Sequence, residues 1–374
     1  MKCLIEKKCG SCQYINKDYN EQLKLKYNKY KNLYKPFQVK VHEIVGMKYP
    51  YQYRNKVIVA FNQSYEYGLY EEKSHRIVPI QSCLLHDDET NYILNQLSLI
   101  LKRYRVSIYD EKRNKGFLKY VLIRRAVMTN QILVTLVVTD SMFKGSKNFC
   151  NELTKRCPSV KSIVLNINKR KTSIVLSKDE KIIYGKRFIV DELCDLTFKI
   201  SSQSFYQINH EQCEKLYSKV IELLEIKDKD VVLDTYCGIG TIGMIVSKYA
   251  YKVIGVEFNH QAYKDAINNA KMNKLNNIRF INQDATAFMS ENKDMKVDCI
   301  IMDPPRSGST KEFIQSLRIM KPKKVIYVSC DPHTQVRDLK EFKRLGYDFK
   351  DIYLYDMFPH TNHIESIVKL SLNN

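Results

Sequence analysis

The sequence predicts an α/β protein in two parts: a mostly β region over residues 1–200, and a doubly wound, Rossmann-like parallel sheet over residues 201–374. Three observations support this. A chain of 374 residues exceeds the usual reach of one hydrophobic core, so two domains are expected. Beyond residue 210 the strand-like runs VVLDTY, KVIGVE, IRFIN, VDCIIMD and KVIYVSC alternate with helix-like runs near 241–249, 261–272, 311–319 and 333–344. Such alternation is βαβ repetition, which right-handed crossovers wind into a parallel sheet covered on both faces. Before residue 200 the rhythm is different, and the change falls near 195–205. Ligands of doubly wound sheets lie outside the carboxyl ends of the strands, so strand-end residues are the place to look for function.

In chain order, residues 17–35 read as a helix, with Leu23, Leu25, Tyr27, Tyr30, Leu33 and Tyr34 among charges, free to pack on the second domain. Short strands follow at 52–61, 118–127, 131–139 and 160–167, interrupted by helices at 90–104 and 145–156. There is no internal repeat and no low-complexity segment.

Lys and Arg outnumber Asp and Glu by 61 to 41, a formal charge of +20. A surplus of that size suits a polyanion such as nucleic acid, although a Lys-rich proteome would give the same balance. No apolar run approaches the roughly 20 residues that span a bilayer, and the amino terminus has no stretch long enough for a signal peptide. Eleven cysteines without an export signal point to reduced thiols in the cytoplasm, with metal or catalytic roles ahead of disulfides.

In "VLDTYCGIGTIG" (232–243), Gly238, Gly240 and Gly243 give G-x-G-x-x-G directly after a strand. The glycines let backbone approach a ligand, but NAD enzymes use the same device. Two features favour S-adenosylmethionine. Asp234 precedes the glycines, where it suits a sulfonium or amine better than a pyrophosphate, and Glu257 ends the next strand, where a carboxylate can accept from both ribose hydroxyls. Asp284, after the third strand, is placed near the adenine. "CIIMDPPRSG" (299–308) carries Asp303-Pro-Pro at a strand end, as amino-methyltransferases do, yet Arg306 follows where those enzymes have an aromatic, which disfavours a nitrogen target.

"KKVIYVSCDPHTQ" (323–335) ends its strand at Cys330 and turns on Asp331-Pro332. A thiol near a helix amino terminus or a cation is expected to have a lowered pKa, whereas most free cysteines are small buried hydrophobes. A thiolate beside a methyl donor suits a pyrimidine: sulfur adds to C6, and the enolate so formed makes C5 nucleophilic. A base must then remove the C5 proton, and "YDMFPHTNHIES" (355–366) offers His360, His363 and Glu365. At the amino terminus Cys3, Cys9 and Cys12 are spaced C-x5-C-x2-C, with Cys83 far downstream; four thiolates of this kind suit zinc or an iron–sulfur cluster equally.

"SFYQIN" (204–209), "DTYCGIG" (234–240), "GVE" (255–257), "DPPRSG" (303–308), "YVSCDP" (327–332) and "DMFPHTNHIE" (356–365) together make the chain resemble the RNA uracil-C5 methyltransferases of the RumA/TrmA type over essentially its whole length. The resemblance implies that residues 201–374 form an S-adenosylmethionine methyltransferase domain, with Cys330 as nucleophile and Glu365 as base. It matches Gln207, Tyr236, Glu257 and Asp303 to cofactor-contacting positions, beside Gly238 and Asp284 of the strand-end reading, and gives Asp303 a share in holding the uracil. Arg306 and His360 take support roles. The same resemblance decides the metal: Cys3, Cys9, Cys12 and Cys83 match the ligands of a [4Fe–4S] cluster, expected to be structural, since the C-x3-C-x2-C of radical enzymes is absent.

The small barrel (TRAM domain) that several relatives carry ahead of these cysteines is missing, so the RNA grip falls to the region before residue 200. There "YQYRNK" (51–56) and "KRYRVSIYDEKRNKG" (102–116) interleave aromatics with cations, as single-strand binders do, with a solvated loop as the plainer reading of the second. The expected partner is RNA, 23S rRNA first and tRNA second, with the target base extruded to reach Cys330. A monomer is expected. Two other readings are an iron–sulfur RNA-binding factor without catalysis and an N-methyltransferase that does not need Cys330.

Overall fold

The structure is a computed structural model, and it describes residues 2–72, 74–171 and 174–372. Its central feature is a nine-stranded sheet. From one edge the order is Lys40–Val45, Asp351–Tyr355, Glu365–Leu372, Lys324–Ser329, Cys299–Met302, Val231–Thr235, Lys252–Glu257 and Ile278–Asn282, with the two-residue strand Tyr347–Asp348 pairing on Glu365–Leu372. The five strands predicted from residues 231–329 are all present and mutually parallel. They read as near-continuous apolar runs because helices cover both faces. Strand order reverses between Val231–Thr235 and Cys299–Met302, which opens a crevice at their carboxyl ends. Glu365–Leu372 then runs antiparallel to Lys324–Ser329, with Ser329 opposite Ser366.

A second sheet of seven mostly antiparallel strands occupies the first half of the chain. One of its inner strands, Ile132–Val138, is buried along its whole length beneath the helices Asp88–Arg103 and Ser146–Arg156. The hairpin Phe188–Leu193 with Leu196–Ser201 follows, and its Ile189, Leu193, Phe198 and Ile200 join the apolar core that underlies the nine-stranded sheet.

Two early segments also belong physically to the nine-stranded sheet. The helix Tyr19–Tyr34, capped by Asp18 accepting from the N–H groups of Asn20 and Glu21, packs on it through Tyr30 and Tyr34, and the strand Lys40–Val45 extends its edge in parallel with Asp351–Tyr355. Among the described residues no helix is long and apolar enough to cross a membrane.

Candidate active site

The strand Val231–Thr235 delivers Asp234 and then a loop in which Tyr236 (φ +62°), Gly238 (φ +58°) and Gly240 (φ +83°) adopt the left-handed conformation. Asp234 is buried and accepts the Gly243 N–H at 2.9 Å; burial nevertheless pushes its carboxyl up to about 8. Its first duty is to hold the glycine turn, and a Cβ on Gly243 would stand 2.7 Å from its Oδ2. Gly238 is different: a Cβ there meets nothing within 4 Å, so its backbone faces open space. The Gly238 N–H donates to Glu257 Oε2 (2.9 Å) and the Asn259 N–H to Oε1 (2.6 Å). Each carboxylate oxygen keeps a lone pair for a ribose hydroxyl. Asp284 is exposed and caps its helix by accepting from the Ala287 N–H at 3.0 Å, near enough to Tyr236 that its charge helps hold that phenol protonated. The Tyr236 hydroxyl lies 3.2 Å from Ser309 Oγ.

Asp234, Tyr236 and Gly238 line a small pocket together with Asp303 and Phe205. Phe205, 65% exposed, is a wall residue that sequence reasoning passed over in favour of its neighbour Gln207. Gln207 itself is buried just outside the pocket lining, and its carbonyl accepts from Asn55 Nδ2 at 2.9 Å. The sequence carries no signal for this role, since an exposed phenylalanine and a core one read alike there. The open cradle over Gly238 and the free lone pairs of Glu257 fit the adenosine half of S-adenosylmethionine. Gly238→Val would fill that cradle with a branched side chain at a left-handed position. Its affinity for S-adenosylhomocysteine, read by calorimetry, is expected to fall about tenfold or more with the circular dichroism spectrum unchanged.

Asp303 follows the strand Cys299–Met302 and Cys330 follows Lys324–Ser329, so neighbouring parallel strands bring the carboxyl and the thiol to one edge. The antiparallel register, extended one residue beyond the Ser329–Ser366 pair, sets Glu365 across from Cys330. Glu365 is 3% exposed, and its Oε2 is buried without a hydrogen-bond partner. Burial first, and the charge of Asp303 second, raise its carboxyl well above the usual range, with Arg306 opposing. Burial likewise lifts Asp303 to about 7.

The thiol behaves opposite to expectation. Cys330 is half-buried at the entrance to the helix Pro332–Arg344, yet it is pushed up to about 12, by burial, then Glu365, then Asp303; Arg306 alone among side chains pulls it down. Asp331 takes the helix-capping role through the His333 N–H (2.9 Å), and two carboxyls from distant parts of the chain outweigh the helix end.

The loop ahead of Glu365 is clamped from behind by the helix Tyr19–Tyr34. Lys26 and Asp356 form a fully buried ion pair at 2.5 Å, and Lys26 Nζ also donates to the carbonyls of Phe358 (3.2 Å) and His363 (3.0 Å). The Tyr19 hydroxyl donates to Asp356 at 2.8 Å and the Tyr30 hydroxyl to the Asn362 carbonyl at 2.9 Å. His360 sits in this clamp, 3.1 Å from Gln22 Nε2, and burial lowers it to about 4, which keeps it neutral. Burial also lowers His363. Both histidines are weaker bases than usual, and Glu365 is the group of this loop that the strand register sets across from the thiol.

Cys3, Cys9, Cys12 and Cys83 are all half-buried; Cys3, Cys12 and Cys83 pack around Ile15, Tyr53 and Leu85, and the segment that follows Cys12 bonds the 356–365 loop through the Tyr14 N–H to the His360 carbonyl (3.0 Å). Burial pushes the Cys12 thiol up to about 12; Arg54 opposes, and Cys83, Cys9 and Cys3 all add to the rise. Among the described residues no three such side chains lie close enough to hold a single metal ion.

The doubly wound sheet, the acid–glycine loop and the ribose-facing carboxylate define an S-adenosylmethionine-dependent methyltransferase. Residues 18–373 match the family described as tRNA (uracil-5-)-methyltransferase. Two RNA methyltransferases printed as uncharacterized, from Oceanobacillus iheyensis and Clostridium tetani, are 38% and 37% identical over 97% and 99% of this chain, each with 82% of its own length covered. The crystal structure of the Pyrococcus abyssi tRNA (uracil-54, C5)-methyltransferase with S-adenosyl-L-homocysteine superposes with a TM-score of 0.82 at 28% identity, covering 97% of this chain and 86% of that one. The chain belongs to the RNA uracil-C5 methyltransferase family, and it is an S-adenosylmethionine-dependent RNA (uracil-5-)-methyltransferase.

Proposed function

We propose that the chain methylates C5 of one uridine in structured RNA through a covalent bond between Cys330 and C6, with Glu365 as the base. The observation that carries this is the strand register that sets Glu365 across from Cys330, both within the field of Asp303. S-adenosylmethionine, held by Glu257, Gly238, Tyr236, Asp284, Asp303 and Gln207, supplies the methyl group when bound. Cys330, as thiolate, adds to C6, and the C5–C6 π electrons move onto the C4 carbonyl as an enolate. After C5 has gained its methyl, Glu365 takes the C5 proton, the electron pair reforms the C5–C6 bond, and the sulfur departs as thiolate. A carboxyl with a raised proton affinity is a stronger base once ionised. Glu365→Gln cannot accept that proton, so methylated RNA is expected to stay bonded to protein and to run as a slow band on denaturing gels. A variant that turns over freely with no such band would remove Glu365 from this role.

For the substrate we place 23S rRNA first, on the resemblance to the ribosomal large-subunit members of the family, and a tRNA uridine second, which the likeness to the Pyrococcus abyssi enzyme favours. Mass-spectrometric mapping of 5-methyluridine in both RNAs from a deletion strain decides between them. We assign the RNA grip to residues 1–200, working in the cytoplasm as a monomer, and Cys3, Cys9, Cys12 and Cys83 to a [4Fe–4S] cluster. What supports the cluster is the family resemblance, together with the nearness by which Cys83, Cys9 and Cys3 each add to the rise of the Cys12 thiol. Such a cluster would pin the amino-terminal turn to the segment around Cys83. Anaerobically purified protein is expected to carry iron and acid-labile sulfide in equal amounts, about four of each per chain; stoichiometric zinc instead would reverse the assignment.

A further inference from the structure

A cavity outside the cofactor pocket lies where residues from the two halves of the chain meet. It is open to solvent, has a volume of about 310 Å³, and is walled by Tyr49, Tyr51, Arg54, Asn55 and Arg125 from the first half and by Asn209–Glu211 from the second. That volume is within the usual range for a small-molecule site. Tyr49 is 48% exposed and meets Tyr51 edge-on at 5.5 Å. Four polar atoms in this wall are buried without a hydrogen-bond partner: Arg54 Nε, a donor, Asn55 Oδ1, an acceptor on a residue only 4% exposed, and both ring nitrogens of His210. Buried polar atoms are satisfied in more than nine of ten cases, so a donor and an acceptor left idle on adjacent residues of one cavity mark a missing partner.

The walls also touch both loops of the active site. Asn55 donates to the Gln207 carbonyl (2.9 Å), Tyr53 donates to the Pro359 carbonyl (3.0 Å), and the Tyr51 ring stacks on His360 at 4.7 Å. The charged groups facing the cavity are Arg54, Arg125 and Glu211, with His210 at its edge. Glu211 is paired with Lys215 at 2.6 Å and Arg125 with Asp87 at 3.5 Å, which leaves the Arg54 guanidinium to set the sign inside the cavity.

Resting on the RNA reading above, we infer that this cavity is a second nucleotide site, which takes one unpaired nucleotide flanking the target uridine. The exposed Tyr49 ring offers a face for base stacking, Arg54 Nε and Asn55 Oδ1 offer a donor and an acceptor for a base edge, and Arg125 at the rim meets the backbone phosphate. Enzymes that extrude a base leave its neighbours unstacked, and a pocket for one of them recovers part of that cost. Because the pocket shares its walls with the 204–209 and 356–365 loops, filling it would steady the residues that receive the uracil.

The test measures binding of unmodified 23S rRNA and tRNA transcripts by filter retention, beside methyl transfer to the same transcripts. Tyr49→Ala is expected to weaken binding of the methylated transcript roughly 10-fold, and Tyr49→Phe, which keeps the ring, to bind within about twofold of wild type. Arg125→Gln is expected to lower the slope of log affinity against log salt by about one. S-adenosylhomocysteine affinity should not move in any of the three. Wild-type binding by Tyr49→Ala together with an unchanged salt slope for Arg125→Gln would overturn the second site while leaving the catalytic reading intact. Binding that depends on Tyr49 without any methyl transfer by the wild type would do the reverse. A wild type that retains neither transcript overturns both.

Discussion

Cys330→Ala is expected to abolish methyl transfer, by at least about 10⁴-fold in single-turnover rate, while S-adenosylhomocysteine affinity stays within about twofold. C5 of uracil is a poor nucleophile until C6 carries an electron-donating substituent, and no other side chain at this edge can form that bond. The Cys330 side chain is half-buried and is not part of the cofactor pocket wall, so its loss should leave that pocket intact. The pH dependence follows from the same surroundings. The thiol is raised to about 12 in the free enzyme, and thiolate is the reacting form. Below its pKa the thiolate fraction grows tenfold per pH unit, so wild-type kcat/KM, which reports the free enzyme, should climb from pH 6 to 9. Retained 5-methyluridine synthesis by Cys330→Ala, or a flat profile over that range, would place the chemistry elsewhere.

Lys26→Met is expected to cost about 3–5 kcal/mol of stability, the largest effect of any substitution outside the reacting groups. The methionine fills the space but leaves Asp356, which is wholly buried, with no cation, and it frees the Phe358 and His363 carbonyls. Pairing it with Asp356→Leu removes the stranded charge and should recover much of the loss. Urea denaturation of the three variants reads this directly. A single variant within about 1 kcal/mol of wild type would mean that the pair contributes nothing measurable.

How far the sequence reveals this molecule depends on how local each cause is. The parallel strands are legible because each carries its own apolar run and stop signal, as in VIYVSC followed by Asp331-Pro332. The glycine loop and Glu257 are legible because turn and carboxylate lie in consecutive βα units. The direction of the Cys330 shift is not, since the helix end that would lower it is local while the carboxyls that raise it come from positions 303 and 365. The Lys26–Asp356 pair spans 330 positions and leaves no periodic trace. Phe205 went unassigned for a different reason: only its exposure separates it from a core residue.

The edge strand Lys40–Val45 has a practical meaning for anyone wishing to isolate the methyltransferase half. A fragment beginning at residue 201 would lose the partner of Asp351–Tyr355, baring a strand ready to pair with another copy. It would also strand Asp356 in the interior with no counter-ion. Aggregation on expression should follow from cutting there, whereas a fragment in which a short tether joins residues 17–46 to that half keeps Asp351–Tyr355 paired and Asp356 with its counter-ion.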